Sequence, residues 1–187
     1  MTDYQTGTPA PPKRSEDDVY DRQIRLWGAD AQQKMKDARV LYVHVTGVSS
    51  EILKNLVLAG VRAAICDGRP YPDAVATMPS SFLPPVKRAV NGAMKAGAGV
   101  EDDAIDANAV PAAKRARTAT VASAMQERVH ELNPLLDACE INEMVLEDVP
   151  DEYFAYFDII VASRIGLIQC RRISKVANDA GNKFVSR

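Results

Sequence analysis

Three short, largely apolar runs punctuate the chain: VLYVHV at 40–45, AAICD at 63–67 and DIIVAS at 158–163. Each is too short for a stable helix and carries the continuous apolar content of a strand buried on both faces of a parallel sheet. Segments with helical period lie between them. Residues 50–59 line up Ile52, Leu53, Leu56 and Val57 and stop at Gly60. Residues 118–132 line up Val121, Met125, Val129 and Leu132 and stop at Asn133-Pro134. The alternation continues with a strand at 135–142, a short helix at 151–157, a helix at 166–180 ending at Gly181, and a strand at 183–186. Strands alternating with helices predict an α/β fold, a Rossmann-like three-layer sandwich around a mainly parallel sheet. Ahead of the first strand, Ser15 is placed to cap a helix that runs to Leu26 and stops at Gly28, with Val19, Tyr20, Ile24 and Trp27 as its apolar face. A second helix over 30–37 completes a helical N-terminal extension.

Two stretches fall outside this pattern. Residues 1–14 are polar and proline-rich and read as a disordered tail, which leaves 15–187 as one domain. Residues 86–117 hold ten alanines among 32 residues and no sustained apolar stripe, so they read as a flexible surface insert. Composition narrows the function. With 23 basic and 25 acidic side chains the net charge is −2, which does not suit a surface that coats nucleic acid. Cys66, Cys139 and Cys170 are far apart and form no CxxC pair, and neither His44 nor His130 has a metal-like neighbour, so no metal site is expected. No apolar run approaches the roughly 18 residues of a membrane span, and no membrane partner is expected.

The turn after the first strand carries the chemistry in folds of this kind. Glycines there let phosphates approach the backbone at the positive end of the next helix. Here the turn reads Thr46, Gly47, Val48, Ser49, with one glycine, and side chains stand where the close approach needs room. That argues against a dinucleotide-dependent oxidoreductase and for a turn without a ligand. Asp67, ending the second strand, stands where a ribose-binding carboxylate often sits; without the glycines a solvated or capping role is the better expectation. Cys66 reads as a small buried hydrophobe.

The opening helix is more distinctive. VYDRQIRLWGADAQQKM at 19–35, followed by SSEILKNLVLAGV at 49–61, resembles the ubiquitin-like-protein activating enzymes, the adenylating enzymes of ubiquitin-type conjugation. CDG at 66–68, SSFLPP at 80–85, ERVHELNP at 127–134 and DEYFAYFDIIVAS at 151–163 extend the resemblance to residues 17–187 outside the insert. Within that family the motifs are similar to the smaller, regulatory subunit of the SUMO-activating type, with the regulatory subunit of the NEDD8 type as the alternative. A non-catalytic α/β interaction module is the remaining reading.

The resemblance implies a ThiF/MoeB-like adenylation fold, here truncated, because such subunits continue beyond residue 187. It implies a heterodimer in which Mg-ATP is bound mainly by the partner, the larger subunit that carries the catalytic cysteine, and in which a SUMO-like modifier is adenylated. It also implies that this half has lost its nucleotide site: ATMPSSFL at 76–83 lacks the family's Asn-Arg-Gln, and Thr120-Val121 stands where Asn-Arg is often found. Arg22 maps onto an arginine that the degenerate half lends to ATP in the partner, with Arg25 as a weaker candidate. From the residues alone a surface or interface ion pair is the better reading of Arg22, and Trp27 reads as packing. Lys114, Arg115 and Arg117 form a basic cluster, either a nuclear address or an ordinary solvated run. A nuclear location, with a cytoplasmic pool, agrees with SUMO chemistry.

Overall fold

The computed structural model describes residues 16–71, 74, 82, 119–136 and 139–186. The tail at 1–14, the insert at 86–117 with its basic cluster, and all of 76–83 except Phe82 lie outside the described residues, as does Ser15. The elements in chain order are α1 (Glu16–Trp27), α2 (Ala29–Asp37), β1 (Arg39–Val43), α3 (Gly47–Leu58), β2 (Arg62–Cys66), α4 (Val121–Leu132), β3 (Glu140–Asn142), α5 (Asp151–Ala155), β4 (Ile159–Ala162), α6 (Leu167–Asp179) and β5 (Lys183–Ser186).

The five strands form one sheet in the order β3-β2-β1-β4-β5, and every pairing is parallel. β1 is central because both its faces find cover. Val40 and Tyr42 point to one side, where Leu53 and Val57 of α3 and Val121, Met125 and Val129 of α4 complete a core. Leu41 and Val43 point to the other, among Phe154 and Phe157 around α5, Ile160 of β4, and Ile173 and Ala177 of α6. The period-two alternation of one strand thus feeds two apolar layers. Phe82 packs against the first of them.

Several elements differ from the sequence expectation, each for a physical reason. α3 begins at Gly47 rather than residue 50, because Thr46 caps it and draws the turn into the helix. Leu53 and Val57 then define its inward stripe, while Ile52 is rotated off it by about 100° and is exposed rather than turned to the sheet. The strand expected over 135–142 is shortened to Glu140–Asn142, because residues 134–136 form a turn closed by Leu136 N–H donating to Asn133 O at 3.2 Å. Among the described side chains of α1 only Tyr20 is fully buried; Val19 and Trp27 are substantially exposed. This helix packs chiefly against α2, and Tyr20 reaches Gly60 just beyond α3.

These burials separate two neighbouring side chains that the sequence alone groups together. Leu53→Ala is expected to cost about 3 kcal/mol and Ile52→Ala less than about 1 kcal/mol, read from urea midpoints. Equal losses at the two positions would refute the placement of the stripe.

Candidate functional site

The strand order reverses direction between β1 and β4, and the crevice beyond their carboxyl ends is where ligands bind in open α/β sheets. In this chain the crevice is lined by groups that bind each other. Thr46 and Ser49 form a reciprocal cap on α3: Ser49 Oγ accepts from Thr46 N–H at 2.7 Å, and Thr46 Oγ1 accepts from Ser49 N–H at 3.5 Å. Both residues are buried, and Ser50 Oγ donates to Gly47 O at 2.8 Å. Val48 projects into solvent from the first turn. The hydroxyls therefore serve the helix end that a phosphate would otherwise occupy.

Asp67 is neither solvated nor a helix cap, contrary to expectation. Its carboxylate is fully buried, accepts from Val45 N–H at 2.8 Å, and is held by the guanidinium fork of Arg69 through Nε at 2.8 Å and Nη2 at 2.6 Å. Arg69 Nη2 also donates to Val45 O at 3.0 Å. A buried carboxylate must find such partners. Two residues apart, these charges close on each other across the end of β1. Gly68 makes the crossing possible: a Cβ there would lie 2.4 Å from Glu143 O. Glu143 in turn accepts from Thr120 Oγ1 at 2.6 Å, and Thr120 forms a second reciprocal cap with Ser123 at the start of α4. A ribose hydroxyl or a phosphate would have to displace several of these bonds, so the residues present do not fit ATP.

His44 and Arg164 end β1 and β4, and both adopt left-handed backbone, with φ of 54° and 52°. His44 is half-buried beside Asp67 and Arg69 and hydrogen-bonds the Arg164 backbone; burial lowers its pKa from the ordinary 6.5, with Asp67 opposing. Sequence reasoning missed both residues, since nothing in VHV or ASR announces a left-handed turn. Burial pushes the Cys66 and Cys139 thiols up to about 12, which makes them poor nucleophiles. Among the described residues no group of three or more His, Cys, Asp or Glu could hold a metal, and no helix is long and apolar enough to cross a membrane.

The arginines of α1 lie away from this crevice. Arg25 is engaged on the surface, its Nη2 3.0 Å from Asp21. Arg22 is exposed and has no hydrogen-bond or ion-pair partner among the described residues. Trp27 is half-exposed, with its indole N–H donating to Gln32 Oε1 at 3.0 Å.

No family model matches the chain. SUMO-activating enzyme subunit 1 of Danio rerio is 34% identical over 146 residues, 78% of this chain and 33% of that protein. This chain is a relative of the ubiquitin-like-protein activating enzymes. The NEDD8-activating enzyme E1 regulatory subunit of the same organism is 28% identical over 181 residues, 93% of this chain and 28% of that one. The chain spans about a third of the length of the curated relatives it matches. Among solved structures, the E. coli tRNA N6-threonylcarbamoyladenosine dehydratase TcdA in complex with ATP superposes with a TM-score of 0.57 over 94% of this chain and 61% of its own, at 14% identity. That likeness establishes a Rossmann-like α/β fold. The ATP belongs to that enzyme; here Asp67, Arg69, Thr46 and Ser49 are bonded to one another or to nearby backbone.

The burial of His44 has a pH consequence. As pH falls through 6.5 the unfolded chain takes up the proton first, so folded stability is lost below that value and unaffected above it. His44→Asn, which tolerates the left-handed backbone, is expected to remove this part of the pH dependence of the urea midpoint. An unchanged acid slope would show that His44 is not buried neutral.

Proposed function

We propose that the chain is the regulatory, non-thioester half of a heterodimeric SUMO-type activating enzyme. It would support adenylation of the modifier's C-terminal carboxylate at Mg-ATP bound in the partner subunit. The observation that carries this reading is the pairing of a self-bonded crevice with an unpartnered arginine. Asp67, Arg69, Thr46 and Ser49 are committed inside the chain, whereas Arg22 is exposed without a partner among the described residues.

Helical geometry adds support. Tyr20 is buried, and Arg22, two residues on, is turned by about 200° and so faces away from the body. Val19 and Leu26, three residues before and four after Arg22, share its side of the helix and are 43% and 78% exposed. An arginine between two exposed apolar side chains suits a contact in which the surrounding residues exclude water from one charged anchor. In that setting the guanidinium would meet charge that redistributes on the triphosphate as the carboxylate attacks the α-phosphorus and pyrophosphate departs.

The NEDD8-type regulatory subunit is the second reading, favoured by the extent of that similarity, 93% of this chain. ATP–pyrophosphate exchange by the reconstituted complex, supplied with each modifier in turn, distinguishes the two. In this assay Arg22→Ala is expected to slow exchange about a hundredfold, the loss of roughly 3 kcal/mol typical of a donor aimed at developing charge. Arg25→Ala, which breaks only an exposed pair, is expected to change it little. A silent Arg22→Ala in an intact heterodimer would reduce the chain to a scaffold. The isolated chain is expected to show no micromolar binding of Mg-ATP by calorimetry, and such binding would refute the reading of its crevice.

A further inference from the structure

The segment ERVHELNP matches the activating enzymes, yet nothing in the crevice uses it. Asn133, its seventh residue, is only 6% exposed and caps the end of α4. Its amide nitrogen donates to Val57 O at 2.7 Å and to Tyr20 Oη at 2.8 Å, and its amide oxygen accepts from Leu135 N–H at 3.2 Å. The orientation of the amide is unambiguous, because Val57 O can only accept and Leu135 N–H can only donate. Both N–H donors and the oxygen are therefore used, by three different parts of the fold.

A second amide repeats the arrangement alongside. Gln32 of α2 is 2% exposed; its nitrogen donates to Ala59 O at 3.0 Å while its oxygen accepts the Trp27 indole N–H at 3.0 Å. Val57 O and Ala59 O are carbonyls at the end of α3, groups that a helix leaves without intrahelical partners. Two buried side-chain amides thus tie α1 to the same helix end, one through Tyr20 and one through Trp27. Gly60, with φ of 93°, lets Tyr20 in: a Cβ there would lie 3.1 Å from its ring.

We infer that Asn133 and Tyr20 form a clasp that sets the rotation of α1 and thereby aims Arg22, making both positioning residues for the adenylation reaction. The inference rests on the trans role of Arg22 proposed above. A helix held at one buried residue by packing alone could roll about its axis. A directional bond at Tyr20 fixes that rotation, and Arg22, about 200° around, is fixed with it. An outward guanidinium misplaced by an ångström would keep its charge and its contact with the partner but lose alignment with the reacting phosphate.

Tyr20→Phe tests this, because it keeps the ring and removes only the hydroxyl that Asn133 donates to. In the reconstituted complex, kcat for pyrophosphate exchange is expected to fall about tenfold while KM for ATP is unchanged, as for an interaction made in the transition state alone. In an Arg22→Ala background the same substitution is expected to cost nothing further. Unchanged kcat in Tyr20→Phe, or an equal fold-loss in both backgrounds, overturns the clasp while the proposed function stands. A silent Arg22→Ala overturns both. In the isolated full chain, Tyr20→Phe is expected to speed amide hydrogen exchange across 19–27 and leave the strands protected. Unaltered protection of that helix overturns the clasp by a route independent of activity.

Discussion

Helix α3 meets protein at both of its ends, and the rest of the molecule follows from how those ends are satisfied. A buried helix terminus leaves N–H and C=O groups that cost free energy unless something bonds them. At the amino end the partners are Thr46 and Ser49, residues of the turn itself. At the carboxyl end they are Asn133 and Gln32, brought from α4 and α2. The first arrangement turns the crevice inward upon itself. The second recruits the N-terminal helices and gives them a defined orientation. One helix therefore connects the self-bonded crevice at its amino end to the placement of α1 at its carboxyl end.

The electrostatics of the crevice point the same way. A nucleotide site in this fold offers uncommitted donors to phosphate and an uncommitted carboxylate to ribose. Here Asp67 is neutralised by Arg69 in a bidentate pair whose carboxylate is wholly buried. Removing Arg69 would leave a wholly buried carboxylate without its counter-charge, which is far more costly than never having the pair. Reopening the crevice therefore takes coordinated change at Thr46, Ser49, Asp67 and Arg69 together, not the return of a glycine or two. The pair is a structural element at the position where a binding carboxylate often sits in this fold.

What the sequence disclosed and withheld follows from whether a property is local. The largely apolar runs at 40–45, 63–67 and 158–163 made the parallel sheet legible, because burial on both faces leaves its mark residue by residue. The caps at Gly28 and Gly60 and the stop at Asn133-Pro134 were legible for the same reason. Ile52 was misplaced because Ile52/Leu56 and Leu53/Val57 are both i,i+4 apolar pairs about 100° apart, and only packing against the sheet decides which of them faces inward. Asp67 was misread as solvated because its burial and its bond from Val45 N–H arise only when β1 and β2 pair in register, although Arg69 stands two residues on. The left-handed turns at His44 and Arg164, and the three-way bonding of Asn133, are likewise properties of the assembled sheet and carry no local signature.

The same distinction explains why Arg22 and Arg25, neighbours in the sequence motif, are not equivalent in the molecule. They lie three residues apart on one helix and both reach solvent. Arg25 is four residues after Asp21, the spacing that puts opposite charges side by side, and its guanidinium is spent there. Four residues before Arg22 stands Asp18, yet no bond forms between them among the described contacts. An exposed ion pair is worth little to stability, so the lack of a partner for Arg22 among the described residues costs almost nothing. A planar, permanently charged donor with no partner among the described residues is available to an anion elsewhere without first breaking a bond to them. Its value then depends on direction, and direction is what the buried face of α1 supplies.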